Sequence, residues 1–169
     1  DHAKFADLDI ASLDFENPTA LVIEDFGTSG LTGSVSSKTD EHFSDFWRRH
    51  GKSHKTGASR GRWGLGKLVY SATSEIGAFF GVTNRLGEKK IYLMGQTVLN
   101  LRKVDGYDYP PHAFFADYEG TEVLTRIPVP IQDEHIINSF CTNFKIDRSE
   151  KPGLSVIVPF PDSKISKDK

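Results

Sequence analysis

Apolar residues along the chain gather in short runs separated by polar, glycine-bearing stretches, and the spacing inside each run predicts an element. Residues 20–25 open with four consecutive apolar side chains, Ala20-Leu21-Val22-Ile23, as expected for a strand covered on both faces. Residues 11–16 lie ahead of it across an Asn17-Pro18 turn signal and read as its strand partner. Further strand-like runs fall at 78–85, 90–101, 122–127 and 154–160. Helical spacing brings Phe43, Phe46, Trp47 and His50 together, with Gly51 as a stop. A second helix is predicted from Leu68 onward, and a third over 133–144, with Ile136, Ile137 and Phe140 on one side.

These elements predict one α+β domain over residues 1–161: a mostly antiparallel sheet with helices against one face. No internal repeat or second-domain boundary is visible, and residues 162–169 are expected to be a disordered tail. No apolar run approaches the roughly 18 residues needed to span a bilayer, and no signal-peptide pattern opens the chain. Cys141 is the only cysteine, which excludes an internal disulfide and a cysteine-rich zinc site; a reducing cytoplasm is the expected compartment.

Charge changes this picture through its distribution. The net charge of −2 excludes a global basic signature for nucleic acid. Residues 1–35 hold seven acids and one lysine, whereas residues 36–70 hold eight Lys/Arg against three acids, with His42, His50 and His54 added. That basic segment suits either a solvated surface or a face turned toward phosphates.

Three segments carry candidate chemistry. In the first, Asp25-Phe26-Gly27-Thr28-Ser29-Gly30 follows the apolar run. A carboxylate fixed at a strand end accepts a hydrogen bond from adenine's exocyclic amine and disfavours guanine, which presents an acceptor there. Gly27 would let backbone approach a flat base, and Gly30 would allow a tight turn. The second segment is Gly61-Arg62-Trp63-Gly64-Leu65-Gly66-Lys67, placed just before a helix. Its main-chain N–H groups, the positive helix end and Lys67 together suit a triphosphate. The third is Gly153-Leu154-Ser155, where the Ser155 hydroxyl at a strand start would assist Asp25; Gly120-Thr121 offers the same chemistry and competes for the role. Taken singly, each segment is also an ordinary turn, helix start or strand start.

Taken in order, they resemble the boxes of the GHKL (Bergerat-fold) ATPases, the class of gyrase B, MutL, MORC, heat-shock chaperones and histidine kinases. Asp25-x-Gly27 resembles the adenine box. Gly61 to Lys67, followed by Tyr70-Ser71-Ala72, is similar to the lid-and-helix box, and Gly153-Leu154-Ser155 to the final Gly-Thr box. The resemblance spans roughly residues 10–160. It implies a two-layer α/β sandwich that binds ATP with Mg²⁺ and hydrolyses ATP in the full-length protein. It further implies contacts from Asp25, Gly27, Gly30, Gly61, Gly64, Leu65, Gly66, Lys67 and Ser155. A lid over about 33–66 would close on the triphosphate and couple ATP to homodimerisation or to docking of a DNA or protein partner. In this family Mg²⁺ is held by an Asn, and water activated by a Glu, on a helix ahead of the adenine box. The 24 residues before Asp25 read as strand and turn, so the metal ligand and the general base are expected outside this chain. The spacing from Asp25 to Gly30 is also longer than usual for the family.

Other readings are weaker on physical grounds. Gly61-x-x-x-x-Gly66-Lys67 lacks the Ser/Thr of a P-loop, having Leu68 instead, and no buried strand precedes it. Asp25-Phe26-Gly27 spells a kinase triplet without the catalytic loop or strand lysine that kinases need. His42, His50 and His54 have no second cluster of ligands. Trp47, Trp63 and the Phe pairs at 79–80 and 114–115 read as core. The alternative from another class is a non-catalytic nucleic-acid- or protein-binding module using 36–67 as a basic patch, recognisable by steep salt dependence.

Overall fold

A computed structural model describes residues 6–36, 41–48, 66–88, 90–122 and 125–166. In chain order the described residues form strand β1 (Ala20–Glu24), helices α1 (His42–Trp47) and α2 (Gly66–Ala72), and strands β2 (Ala78–Asn84) and β3 (Ile91–Val98). Short strands β4 (Arg102–Val104), β5 (Tyr107–Tyr109), β6 (His112–Phe115), β7 (Asp117–Glu119) and β8 (Ile127–Val129) follow, then helix α3 (Glu134–Phe144), strand β9 (Gly153–Pro159) and the single turn α4 (Ser163–Ser166). Five strands make the central sheet, in the order β1-β9-β2-β3-β6, with every pairing antiparallel. β4 with β5, and β7 with β8, form separate two-stranded ribbons.

The middle of the sheet is apolar on both sides because β2 and β9 carry apolar side chains at consecutive positions. Alternation sends Phe79, Val156 and Val158 to one face, and Phe80, Val82 and Ile157 to the other. On the first face lie α1 and α2: Trp47 and Phe43, each 1% exposed, pack there with Met94, Leu31 and Tyr70. The Trp47 ring stacks on Phe79 at 5.5 Å, and Gly81 makes room for it, since a Cβ at that position would lie 2.8 Å from the indole. On the second face lies α3, packed through Ile137, Phe140 and Phe144 against Val82, Leu93 and Ile157. Asp133 caps α3 by accepting the Ile136 N–H at 3.0 Å, and Lys145 closes it in the left-handed region, φ 56°.

The α+β class and the antiparallel sheet are as expected; helices against one face only are not. Both faces are apolar, so both are covered. Residues 11–16 do not form a strand. Ile10–Ser12 is a 3₁₀ turn, and the Asp14 carboxylate takes the N–H groups of Glu16 and Asn17 at 3.0 and 2.9 Å, which competes with strand pairing. β1 therefore pairs with β9 alone and is an edge strand, with Ile23 43% exposed, not a strand covered on both faces. The strand expected at 122–127 starts instead at Ile127. Ile136 points away from the core at 45% exposure while Ile137 is buried, and 163–166 form a helical turn within the expected tail. Among the described residues no helix is long and apolar enough to cross a membrane.

Trp47 fills a closed, two-sided aromatic slot. Trp47→Ala is expected to lower unfolding free energy by about 3–5 kcal/mol, read from urea denaturation, because the surrounding rings cannot collapse into the space.

Candidate functional site

The chain leaves β1 at Asp25, and main-chain bonds fix the turn that follows. Asp25 N–H donates to the Leu154 carbonyl at 3.0 Å, and Gly27 N–H donates to the Pro152 carbonyl at 3.0 Å. Further on, Leu31 N–H donates to Thr83 Oγ1 at 2.9 Å, and that hydroxyl donates to the Gly153 carbonyl at 3.0 Å. One buried threonine thus joins the loop after β1 to the start of β9. Gly30 lies against this junction: a Cβ there would come within 2.6 Å of the Asn84 carbonyl, so its role is close packing on β2. Gly27 differs. Its φ is 71° and a Cβ would meet no atom of the described residues within 4 Å.

Asp25 is exposed, and its carboxylate is held by one oxygen. Oδ1 accepts from Leu154 N–H at 2.7 Å and from Thr28 Oγ1 at 3.0 Å; Oδ2 has no protein partner among the described residues. Beneath it lies Arg148, 1% exposed. Arg148 Nε donates to Ser155 Oγ at 2.6 Å, Nη2 to the Leu154 carbonyl at 2.7 Å, and Nη1 to the Asp25 carbonyl. Ser155 Oγ in turn donates to Glu24 Oε1 at 2.7 Å, which pairs with Arg148 Nη2 at 3.6 Å. The exposed Phe26 ring lies 4.3 Å from the guanidinium carbon. Burial pulls the Arg148 pKa down, opposed by the charges of Glu24 and Asp25.

Strand alternation separates Ser155 from Asp25. Glu24 and Ser155 are register partners on the α3 face, whereas Asp25 is on the face of α1 and α2. The expected assistance of Asp25 by the Ser155 hydroxyl is therefore replaced by the neighbouring main chain, the N–H of Leu154. Thr121 is exposed between β7 and β8, in a ribbon outside the central sheet. The sequence offered no signal for Arg148; its environment combines nearby Leu154 and Ser155 with Glu24, Asp25 and Phe26 from the far end of the chain.

On the α1 and α2 side of the sheet, α2 spans Gly66–Ala72. Burial, followed by the Asp25 charge, pushes the Tyr70 phenol pKa up. Lys67 is 7% exposed, and its Nζ donates to the carbonyls of Asp45 and Phe46 at 2.9 and 3.0 Å. Burial lowers its pKa from 10.5 to about 8, opposed by the Asp45 carboxylate. Between those values the unfolded chain holds a proton that the folded chain lacks, so the contribution of Lys67 to stability rises with pH across that window. Gly61, Gly64 and Leu65 lie outside the described residues, as do Trp63 and most of the basic segment and of the expected lid.

A cleft of about 730 Å³ lies at the β2–β3 turn, between Asn84, Lys90, Glu134, Asn138 and Ser149, and none of the expected site residues lines it. Among the described residues no group of three or more His, Cys, Asp or Glu side chains gathers to hold a metal ion. Comparison of the chain with protein-family models, curated proteins and solved structures finds no match.

Gly153 sets the spacing under Asp25. Its φ is 142°, and a Cβ there would contact the Asp25 carbonyl and lie 2.5 Å from Oδ1. Gly153→Ala is expected to destabilise the fold by about 2–4 kcal/mol, seen as a lowered Tm. The same change should displace the Asp25 carboxylate, read as a shift of its carboxyl signal by NMR.

Proposed function

We propose that this chain is an ATP-binding module of GHKL type, with Asp25 selecting adenine and the start of α2 receiving the phosphates. The observation that carries this reading is the exposed Asp25 carboxylate at the end of β1, its Oδ1 fixed by Leu154 N–H at 2.7 Å and Thr28 Oγ1 at 3.0 Å. A carboxylate oxygen with no partner among the described residues, and a Gly27 with no atom of the described residues beside it, suit the edge of a purine. In this reading Gly61, Gly64, Leu65 and Gly66 supply main-chain donors. Gly30 and Ser155 hold the frame around Asp25 without touching ATP. The module acts in the cytoplasm and couples ATP binding to dimerisation or partner docking. In the same reading the full-length protein hydrolyses ATP with Mg²⁺.

Asp25→Asn tests the adenine contact. The asparagine oxygen still accepts from Leu154 N–H and Thr28 Oγ1, so the fold is expected to survive with unchanged circular dichroism. The opposite position becomes an amide donor facing adenine's own donor, and ATP affinity should drop by about 10- to 100-fold in calorimetry. Equal ATP affinity in the two proteins would overturn the assignment.

Lys67 gives a pH test. To meet a phosphate it must exchange the Asp45 and Phe46 carbonyls for phosphate oxygens, which favour its protonated form. ATP binding near pH 8.5 should therefore take up a proton, and affinity should decline as pH rises through about 8. Calorimetry in buffers of different ionisation enthalpy measures the uptake. Zero uptake together with a flat profile from pH 7 to about 9.5 would remove Lys67 from the phosphate site.

A further inference from the structure

We infer that Arg148 is the positioning residue for adenine selectivity; the inference rests on the proposed role of Asp25. The direction of the Asp25 carboxylate depends on Leu154, whose N–H holds Oδ1 at 2.7 Å. Leu154 is itself held by Arg148, which donates to its carbonyl at 2.7 Å, while the same guanidinium donates to the Asp25 carbonyl. The third nitrogen, Nε, reaches Ser155 Oγ at 2.6 Å, and through that hydroxyl the Glu24 carboxylate.

One planar group therefore grips three successive points around the carboxylate: the residue that carries it, the residue that anchors it, and the next residue along β9. A lysine offers a single nitrogen and cannot span these acceptors. Arg148 is buried on the α3 side of the ladder, so it acts on the base through Asp25 and not by contact.

The consequence is specific to the amine edge of the purine. A carboxylate held in one direction accepts from the amine of ATP and opposes the carbonyl that ITP presents at the same place. Released, it loses the first interaction and relaxes the second. The ratio of ATP to ITP affinity should narrow, while the triphosphate contribution, common to both, stays.

The experiment measures ATP and ITP affinities by calorimetry for the wild type, Arg148→Lys and Ser155→Ala, with thermal unfolding as the fold control. The wild type is expected to prefer ATP by on the order of 100-fold. Folded Arg148→Lys should keep ITP affinity within about threefold and bring the ratio below about 10. Ser155→Ala, which removes only the hydroxyl between Arg148 and Glu24, should lower the ratio about threefold, and it decides the matter if Arg148→Lys does not fold. An unchanged ratio in a folded variant, or equal losses for both nucleotides, would overturn the positioning role. A wild type that binds neither nucleotide, or both alike, would instead overturn the reading of Asp25.

Discussion

The end of β1 and the start of β9 are held by a buried positive charge whose donors meet main-chain carbonyls, a hydroxyl and a carboxylate. A guanidinium removed from water is costly unless its geometry is met on every side. Arg148 meets that condition with the Asp25 and Leu154 carbonyls, the Ser155 hydroxyl, the Glu24 carboxylate and the Phe26 ring. Removing any one leaves part of a buried cation without a partner. The arrangement of the loop after β1 follows from this requirement more than from hydrophobic packing, since Phe26, Gly27, Thr28 and Ser29 are all exposed.

The two faces of the sheet divide the work. The α3 face contains the Arg148 cluster and a closed apolar layer around Ile157, which is fully buried. The opposite face carries the aromatic slot of Trp47 and Phe79, and beside it Asp25, Tyr70 and the start of α2. Structural charge and candidate binding charge are thus on opposite sides of a single strand pair, one residue apart at Glu24 and Asp25. That adjacency lets one face be rigid while the other stays open to a ligand.

Much of the central sheet could be read from the chain, because β2, β3 and β9 are long apolar runs and α3 has both periodicity and an Asp133 cap. Residues 11–16 misled because alternation alone does not reveal that Asp14 folds back on its own backbone. The ribbon strands β4, β5 and β7 are three residues each, too short to leave a period. At the candidate site, the closeness of Gly153-Leu154 to Asp25 was legible as an order of motifs. The hydroxyl role given to Ser155 was not correct in detail, since register turns that side chain toward Glu24. Arg148 was invisible: in Ile146-Asp147-Arg148-Ser149-Glu150-Lys151 an arginine looks like one more surface charge, and only the tertiary fold buries it.

The position of β1 at the rim of the sheet has one more effect. A strand laddered on one side only opens locally at little cost, well below the cost of global unfolding. The carboxylate at its end is therefore attached to one of the two rim strands of the sheet, β1 and β6. Amino-acid changes at the exposed Ile23 can retune the geometry of the loop in small steps, whereas Ala20 and Val22 of the same strand pack against the interior around Val82 and Leu93 and are constrained by it.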